Sequence, residues 1–186
     1  MMPVLVTDPK TVEEKRSREV SRPLRVCFVC TGNTCRSPMA AAVANALAKQ
    51  AADRTRAALP ESLRESVTVP VEAISAGLAA AEGDPIAPNA VRALEEAGVE
   101  PVPDHDYRTH TAHTLPPDVA EQCDLIVGMS GSHVMGLVMR FPGLAGRVTG
   151  MPEEIPDPYG GDAETYRKSL AAITAGVKKL LFPTEA

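Results

Sequence analysis

The residues best placed to do chemistry lie in one stretch, VCFVCTGNTCRSPMA, from Val26 to Ala40, which holds three of the four cysteines. An apolar run ending at Cys30 gives way to a small polar loop, and Ser37-Pro38 follows at once. Backbone amides of a loop that curls into a helix N-terminus point inward, and the helix dipole adds partial positive charge. Gly32 and Asn33 tolerate the left-handed conformations such a nest requires. Arg36 offers a planar fork matched to two phosphate oxygens. With Thr31, Thr34 and Cys35 between these residues, the loop reads as an anion site.

The same field favours the thiolate of Cys30, placed beneath a bound phosphoryl group for in-line attack and a phosphocysteine intermediate. Ser37 can donate to the sulfur and make it a better leaving group in the second step. The loop lacks the lysine of a Walker motif, so nucleotide binding is the poorer reading. The leaving group needs a proton. EEIPDPYGGD offers Asp157, stiffened between Pro156 and Pro158, with Tyr159 as a pocket wall. The same residue types also make a plain turn, and spacing alone leaves both readings open.

These groups need a scaffold. LRVCFVC (Leu24 to Cys30) is a strand-length apolar run of the kind covered on both faces in a parallel sheet. Ser37 as N-cap and Pro38 at the first helical position open a helix with Met39, Val43, Ala46 and Leu47 on one apolar stripe. VTVPVEAISAG, CDLIVGM and the weaker GRVTGM are further strands. PNAVRALEEAG, SGSHVMGLVMRF and DAETYRKSLAAITAGVKKLLF are helices. The alternation gives an α/β fold, a parallel sheet with helices on both faces, whose ligands bind beyond the carboxyl ends of the strands. Residues 1–22 read as a charged, loosely attached N-terminal extension and 23–186 as the folded domain.

Hydrophobic residues make up 44% of the chain and charged residues 23%, as in ordinary globular proteins. The net charge of -5 argues against nucleic acid or an anionic membrane as partner. No apolar run approaches the length of a membrane span, and the N-terminus has no apolar core of a secretory signal. Cysteines clustered at one motif are not a disulfide framework, so the expectation is a reduced, cytoplasmic protein. Cys27 and Cys30 form a C-x-x-C, but residues three apart in a strand face opposite sides, which disfavours zinc; Cys27 reads as a buried small hydrophobe. His105, His110 and His113 read more readily as a polar surface loop than as a metal site.

Cys-x5-Arg-Ser directly after the first strand, with a late Asp-Pro-Tyr, resembles the low-molecular-weight protein tyrosine phosphatases. The resemblance runs from about Leu24 to Phe182 through SAG (Ser75 to Gly77), PNAVRAL, HDYR, CDLIVGMS and DPYGGDAETY. It implies a four-stranded parallel sheet of flavodoxin-like layout, no metal, no cofactor, and a monomer acting on phosphorylated protein. It also implies Cys30 as nucleophile, Arg36 as phosphate clamp, and Asp157 as acid and then base. Asn33, Ser37, Ser75 and His105 would support the loop and thiolate, and Tyr159 would wall the cleft. A disulfide between Cys30 and Cys35 that protects the nucleophile is a family feature, set against a purely space-filling Cys35. CTGNTCRS with Thr34 resembles the bacterial protein-arginine phosphatases, where tyrosine-directed members tend to carry an aliphatic residue. The chain departs from the family pattern at Ala41, where glutamate is common, at Asn89, where histidine is common, and in a longer Lys49 to Ser66 stretch.

Two rival functions share the cradle. Arsenate reductases relay a disulfide through a downstream pair of cysteines, whereas here only Cys123 lies downstream. A silent phosphate-binding module has no need of Cys30, Arg36 and Asp157 together.

Overall fold

A computed structural model describes residues 22–183. The N-terminal extension expected over residues 1–22 lies outside the described residues but for Arg22. Four strands, β1 (Leu24–Cys30), β2 (Val71–Gly77), β3 (Leu125–Gly128) and β4 (Val148–Gly150), form one parallel sheet in the order β2-β1-β3-β4. The helices are α1 (Arg36–Ala58), α2 (Glu61–Arg64), α3 (Pro88–Glu96), α4 (Pro117–Gln122), α5 (Gly131–Arg140) and α6 (Ala163–Leu181).

Alternation along β1 divides the core. Val26, Phe28 and Cys30 face a cluster with Met39, Val43, Leu94, Ile173 and Val177, contributed by α1, α3 and α6. Cys27 and Val29 face Leu115, Ile126, Leu137 and Phe141 on the other side. A sheet covered on both faces explains why β1 is apolar throughout. Cys27 is wholly buried, as its reading as a small hydrophobe requires.

β1 pairs with β2 on one side and β3 on the other, so the chain reverses direction of travel at its carboxyl end. That switch point opens a crevice, and the loop after Cys30 fills it.

Two expectations about α1 need correction. Its burial is not a stripe, since every residue from Arg36 to Ala46 is buried. The alanines there are small enough for the sheet and α6 to close in around the helix. Ser37 is not the N-cap. Cys35 holds that position without a side-chain bond, and Ser37 lies inside the first turn, its hydroxyl turned toward Cys30.

Asp124, just before β3, receives both terminal nitrogens of Arg22 at 2.7 Å and the Arg25 amide at 2.9 Å. These donors hold its carboxyl at about 2, Arg22 contributing most. No described helix is long and apolar enough to cross a membrane.

Candidate active site

The thiol of Cys30 lies at the end of β1, buried but bordering a cleft of 340 Å³. Its Sγ is 3.1 Å from the Ser37 Oγ and accepts from the Asn33 amide at 3.3 Å. Ser37 also lies 3.2 Å from the Ala76 carbonyl. A hydroxyl has one proton, so with a thiolate beside it that proton goes to sulfur, and with a thiol it is free for the carbonyl.

Asn33 holds the loop in shape. It takes φ 55°, the left-handed conformation its short polar side chain tolerates. Its Nδ2 donates to Ser37 and Ser75, each at 3.0 Å, and its Oδ1 accepts from the His113 amide at 3.0 Å. His110 Nε2 meets the Asn33 carbonyl at 2.9 Å, and burial pushes this imidazole below the ordinary histidine range. Among the described residues the amides of Gly32, Thr34 and Cys35 have no backbone or side-chain acceptor in the protein. Unpaired donors at the N-terminus of α1, whose first turn carries no acidic residue, have the chemistry to cradle an oxyanion.

Arg36 is buried at the cleft wall. Its Nη2 donates to Asp157 Oδ2 at 2.9 Å and its Nη1 to the Ile155 carbonyl at 3.3 Å. Asp157, half exposed, also accepts from the Tyr159 amide at 3.2 Å. Tyr159 is 78% exposed and borders the same cleft, as do Thr31, Gly32 and Thr34. The Cys30 thiol, the free loop amides, the Arg36 guanidinium and the Asp157 carboxylate thus converge on one opening, from segments up to 121 residues apart.

Two sequence expectations differ from the structure. His105 does not touch the cradle; its Nε2 lies 3.7 Å from Glu72 Oε1, and His110 and His113 make the contacts expected of it. The segment is a loop with a short 3-10 turn at Tyr107–Thr109, so no periodicity told the three histidines apart. Cys35 borders the cleft, but its Sγ points into the core, 3.2 Å from the Tyr166 hydroxyl. Any phosphate contact from Cys35 falls to its amide. All four cysteines are free. Burial and then Cys35 push the Tyr166 hydroxyl upward, so it stays protonated.

His133, on a helix beside Met135, carries no sequence pattern that marks it as part of the site. It is buried, with Nε2 3.0 Å from the Thr31 hydroxyl and Nδ1 2.6 Å from Ser130 Oγ. Burial and the Arg36 charge push it below its ordinary value, so it braces the second cradle residue as a neutral ring.

The cradle also rests on β2. A Cβ on Gly77 would stand 2.6 Å from the Thr31 carbonyl oxygen, a backbone atom that moves only with the loop. Gly77→Ala should therefore fold but lower kcat/KM on an aryl phosphate by about 100-fold, the usual effect of displacing a site by an ångström. Circular dichroism alongside kinetics checks this; unchanged kinetics would show that the loop does not lean on Gly77.

Comparison with known proteins agrees with this geometry. The family described as low molecular weight phosphotyrosine protein phosphatase matches residues 25–186. A protein-arginine-phosphatase of Geobacillus stearothermophilus is 34% identical over 85% of this chain and 94% of its own. A probable low molecular weight protein-tyrosine-phosphatase of Ralstonia solanacearum is 32% identical over 82% and 90%. The crystal structure of a low molecular weight protein tyrosine phosphatase from T. tengcongensis superposes with a TM-score of 0.70 at 33% identity, covering 85% of this chain and 97% of that one.

Proposed function

The chain belongs to the low-molecular-weight phosphotyrosine protein phosphatase family and is a cysteine-based protein phosphatase, and from that premise we propose that it prefers phosphoarginine to phosphotyrosine. The observation that carries the mechanism is the convergence of Cys30 Sγ, the free loop amides and the Arg36–Asp157 pair on one cleft.

In the first step the Cys30 thiolate attacks phosphorus, the S–P bond forms, and the bond to the leaving nitrogen breaks as Asp157 gives that atom its proton. The loop amides and Arg36 hold the equatorial oxygens throughout. In the second step Asp157 takes a proton from water, the water oxygen bonds phosphorus, and the P–S bond breaks. Ser37, 3.1 Å away, donates to the departing thiolate. The products are arginine and inorganic phosphate. Asn33 with Ser75, and His110 and His113 in the place assigned to His105, keep the loop in its left-handed turn.

Thr34 supports the preference. It borders the cleft and carries a hydroxyl able to meet a polar guanidinium, where a branched alkyl group suits a phenyl ring. The acidic net charge fits phosphorylated protein rather than nucleic acid or an anionic membrane as partner, and the clustered cysteines and the family resemblance support a reduced, cytoplasmic monomer.

The experiment is kcat/KM of the reduced enzyme on phosphoarginine and phosphotyrosine side by side, repeated with Thr34→Ile. Wild type should prefer phosphoarginine, and the variant should shift toward phosphotyrosine by about tenfold, the scale of one unmet polar contact. A wild type that prefers phosphotyrosine overturns the preference. Arsenate reduction without phosphatase activity overturns the mechanism.

A further inference from the structure

The wall of the cleft opposite the cradle is the segment from Leu78 to Ala87, stitched to the loop at both ends. The Leu78 and Ala79 amides donate to the carbonyls of Cys30 and Thr31 at 2.9 and 3.0 Å, and the Ala87 amide donates to that of Thr34 at 2.8 Å. Its outer turn is clamped to Ala112, with Gly83 donating to the Ala112 carbonyl at 2.9 Å and the Ala112 amide donating to Asp84 at 2.7 Å. The backbone of Asp84 is therefore fixed relative to the cradle, and its residue borders the cleft.

Its carboxylate is exposed and, among the described residues, has no hydrogen-bond or ion-pair partner. The two nearby acids differ in this respect: Glu82 is tied to the Thr114 amide and Asp157 to Arg36. A free negative charge at the mouth of an anion site repels the phosphoryl group it must admit. The rest of this wall is the methyls of Ala79 and Ala81, so Tyr159 is the single aromatic residue bordering the cleft. A phenyl ring gains nothing from a carboxylate, whereas a guanidinium gains a charge-assisted hydrogen bond.

We infer that Asp84 is a specificity-determining residue that receives the guanidinium of phosphoarginine while the cradle holds its phosphoryl group. The inference rests on the phosphoarginine reading above. Asp84 and Thr34 then meet the same cation, one with charge and one with a hydroxyl, and Asp157 is left to transfer the proton.

The test is Asp84→Asn, assayed on free phosphoarginine and on phosphotyrosine. The side chain is exposed and makes no hydrogen bond or ion pair among the described residues, so the variant keeps its fold. On phosphoarginine kcat/KM should fall about tenfold, the low end for a charged hydrogen bond because the site is open to water. On phosphotyrosine it should rise about twofold as repulsion of the dianion is relieved. Equal loss on both substrates, or no loss on phosphoarginine, overturns the assignment. A loss confined to phosphopeptides with a neighbouring Arg or Lys also overturns it, since Asp84 would then serve the flank. Wild type that cleaves phosphotyrosine but not phosphoarginine fails earlier, before any Asp84 variant is made, and sinks the substrate reading itself.

Discussion

Cys30→Ser is expected to lose turnover by about 10⁴-fold or more while still binding orthovanadate and inorganic phosphate. The substitution changes one atom. The hydroxyl it introduces is a far weaker acid than the thiol, and an alcohol attacks phosphorus only with a base to take its proton. Among the described residues no base is in contact with Cys30 Sγ, and Asp157, which lines the same cleft, is paired with Arg36. The groups touching Cys30 Sγ are the Ser37 hydroxyl and the Asn33 amide, which stabilise a thiolate but accept no proton from an alcohol at neutral pH. The buried imidazole of His133, against Thr31, is committed to that residue and to Ser130. The anion site, by contrast, consists of the amides of Gly32, Thr34 and Cys35 and the Arg36 guanidinium, none of which the substitution alters. Isothermal titration with phosphate or vanadate, beside steady-state kinetics, separates the two properties. Turnover at the wild-type rate would reject covalent catalysis by Cys30; loss of anion binding together with turnover would mean that sulfur, not the amides, holds the loop in shape.

What the sequence made readable follows from how local each feature is. The loop from Cys30 to Ser37 is contiguous, and its strand-to-helix setting is written in the residues on either side. Its tolerance for a left-handed Asn33 and its place beyond the carboxyl end of the first strand were both visible. β1 and β3 were legible as apolar runs bounded by turn residues, whereas β2, which carries Glu72 and Ser75, and the three-residue β4 gave weaker patterns. The helix α4 (Pro117–Gln122) was not, since six residues are too few for a helical period to show. Contacts between distant segments were out of reach of pattern alone. Ser75 meets Asn33 across 42 residues and was expected only through the family resemblance. Tyr166 meets Cys35 across 131 residues, and nothing near either residue announces it. Ser37 was misread for a physical reason. A serine before Pro38 is the usual signature of an N-cap, but here Cys35 takes that position and the serine, two residues on, lies inside the first turn, where it serves the thiol. Asp157 sat between two readings because Asp-Pro-Tyr-Gly-Gly makes a turn whatever else it does. The structure shows that it is a turn and that its carboxylate faces Arg36.

That pairing sets the expectation for Asp157→Asn, which should lower kcat and strengthen phosphate binding at once. The acid role predicts the first effect. An amide cannot protonate a leaving group, so substrates with poor leaving groups should lose about 10²- to 10³-fold in kcat, and an activated aryl phosphate such as p-nitrophenyl phosphate much less. The ion pair predicts the second. Without substrate, Asp157 Oδ2 lies 2.9 Å from Arg36 Nη2, so an arriving phosphate must compete for that guanidinium and meet a like charge beside it. Asparagine removes both penalties. The carboxylate is 54% exposed, which keeps the pair weak, and phosphate should bind tighter by a factor of about three. The two effects run in opposite directions and have separate causes, so a general loss of fold or of loop order cannot mimic them. Leaving-group dependence of kcat over a series of aryl phosphates, with the inhibition constant of phosphate measured in parallel, reads both. If kcat falls equally across the series, the proton comes from elsewhere; if phosphate binds no better, Arg36 is not restrained by Asp157 in the resting enzyme.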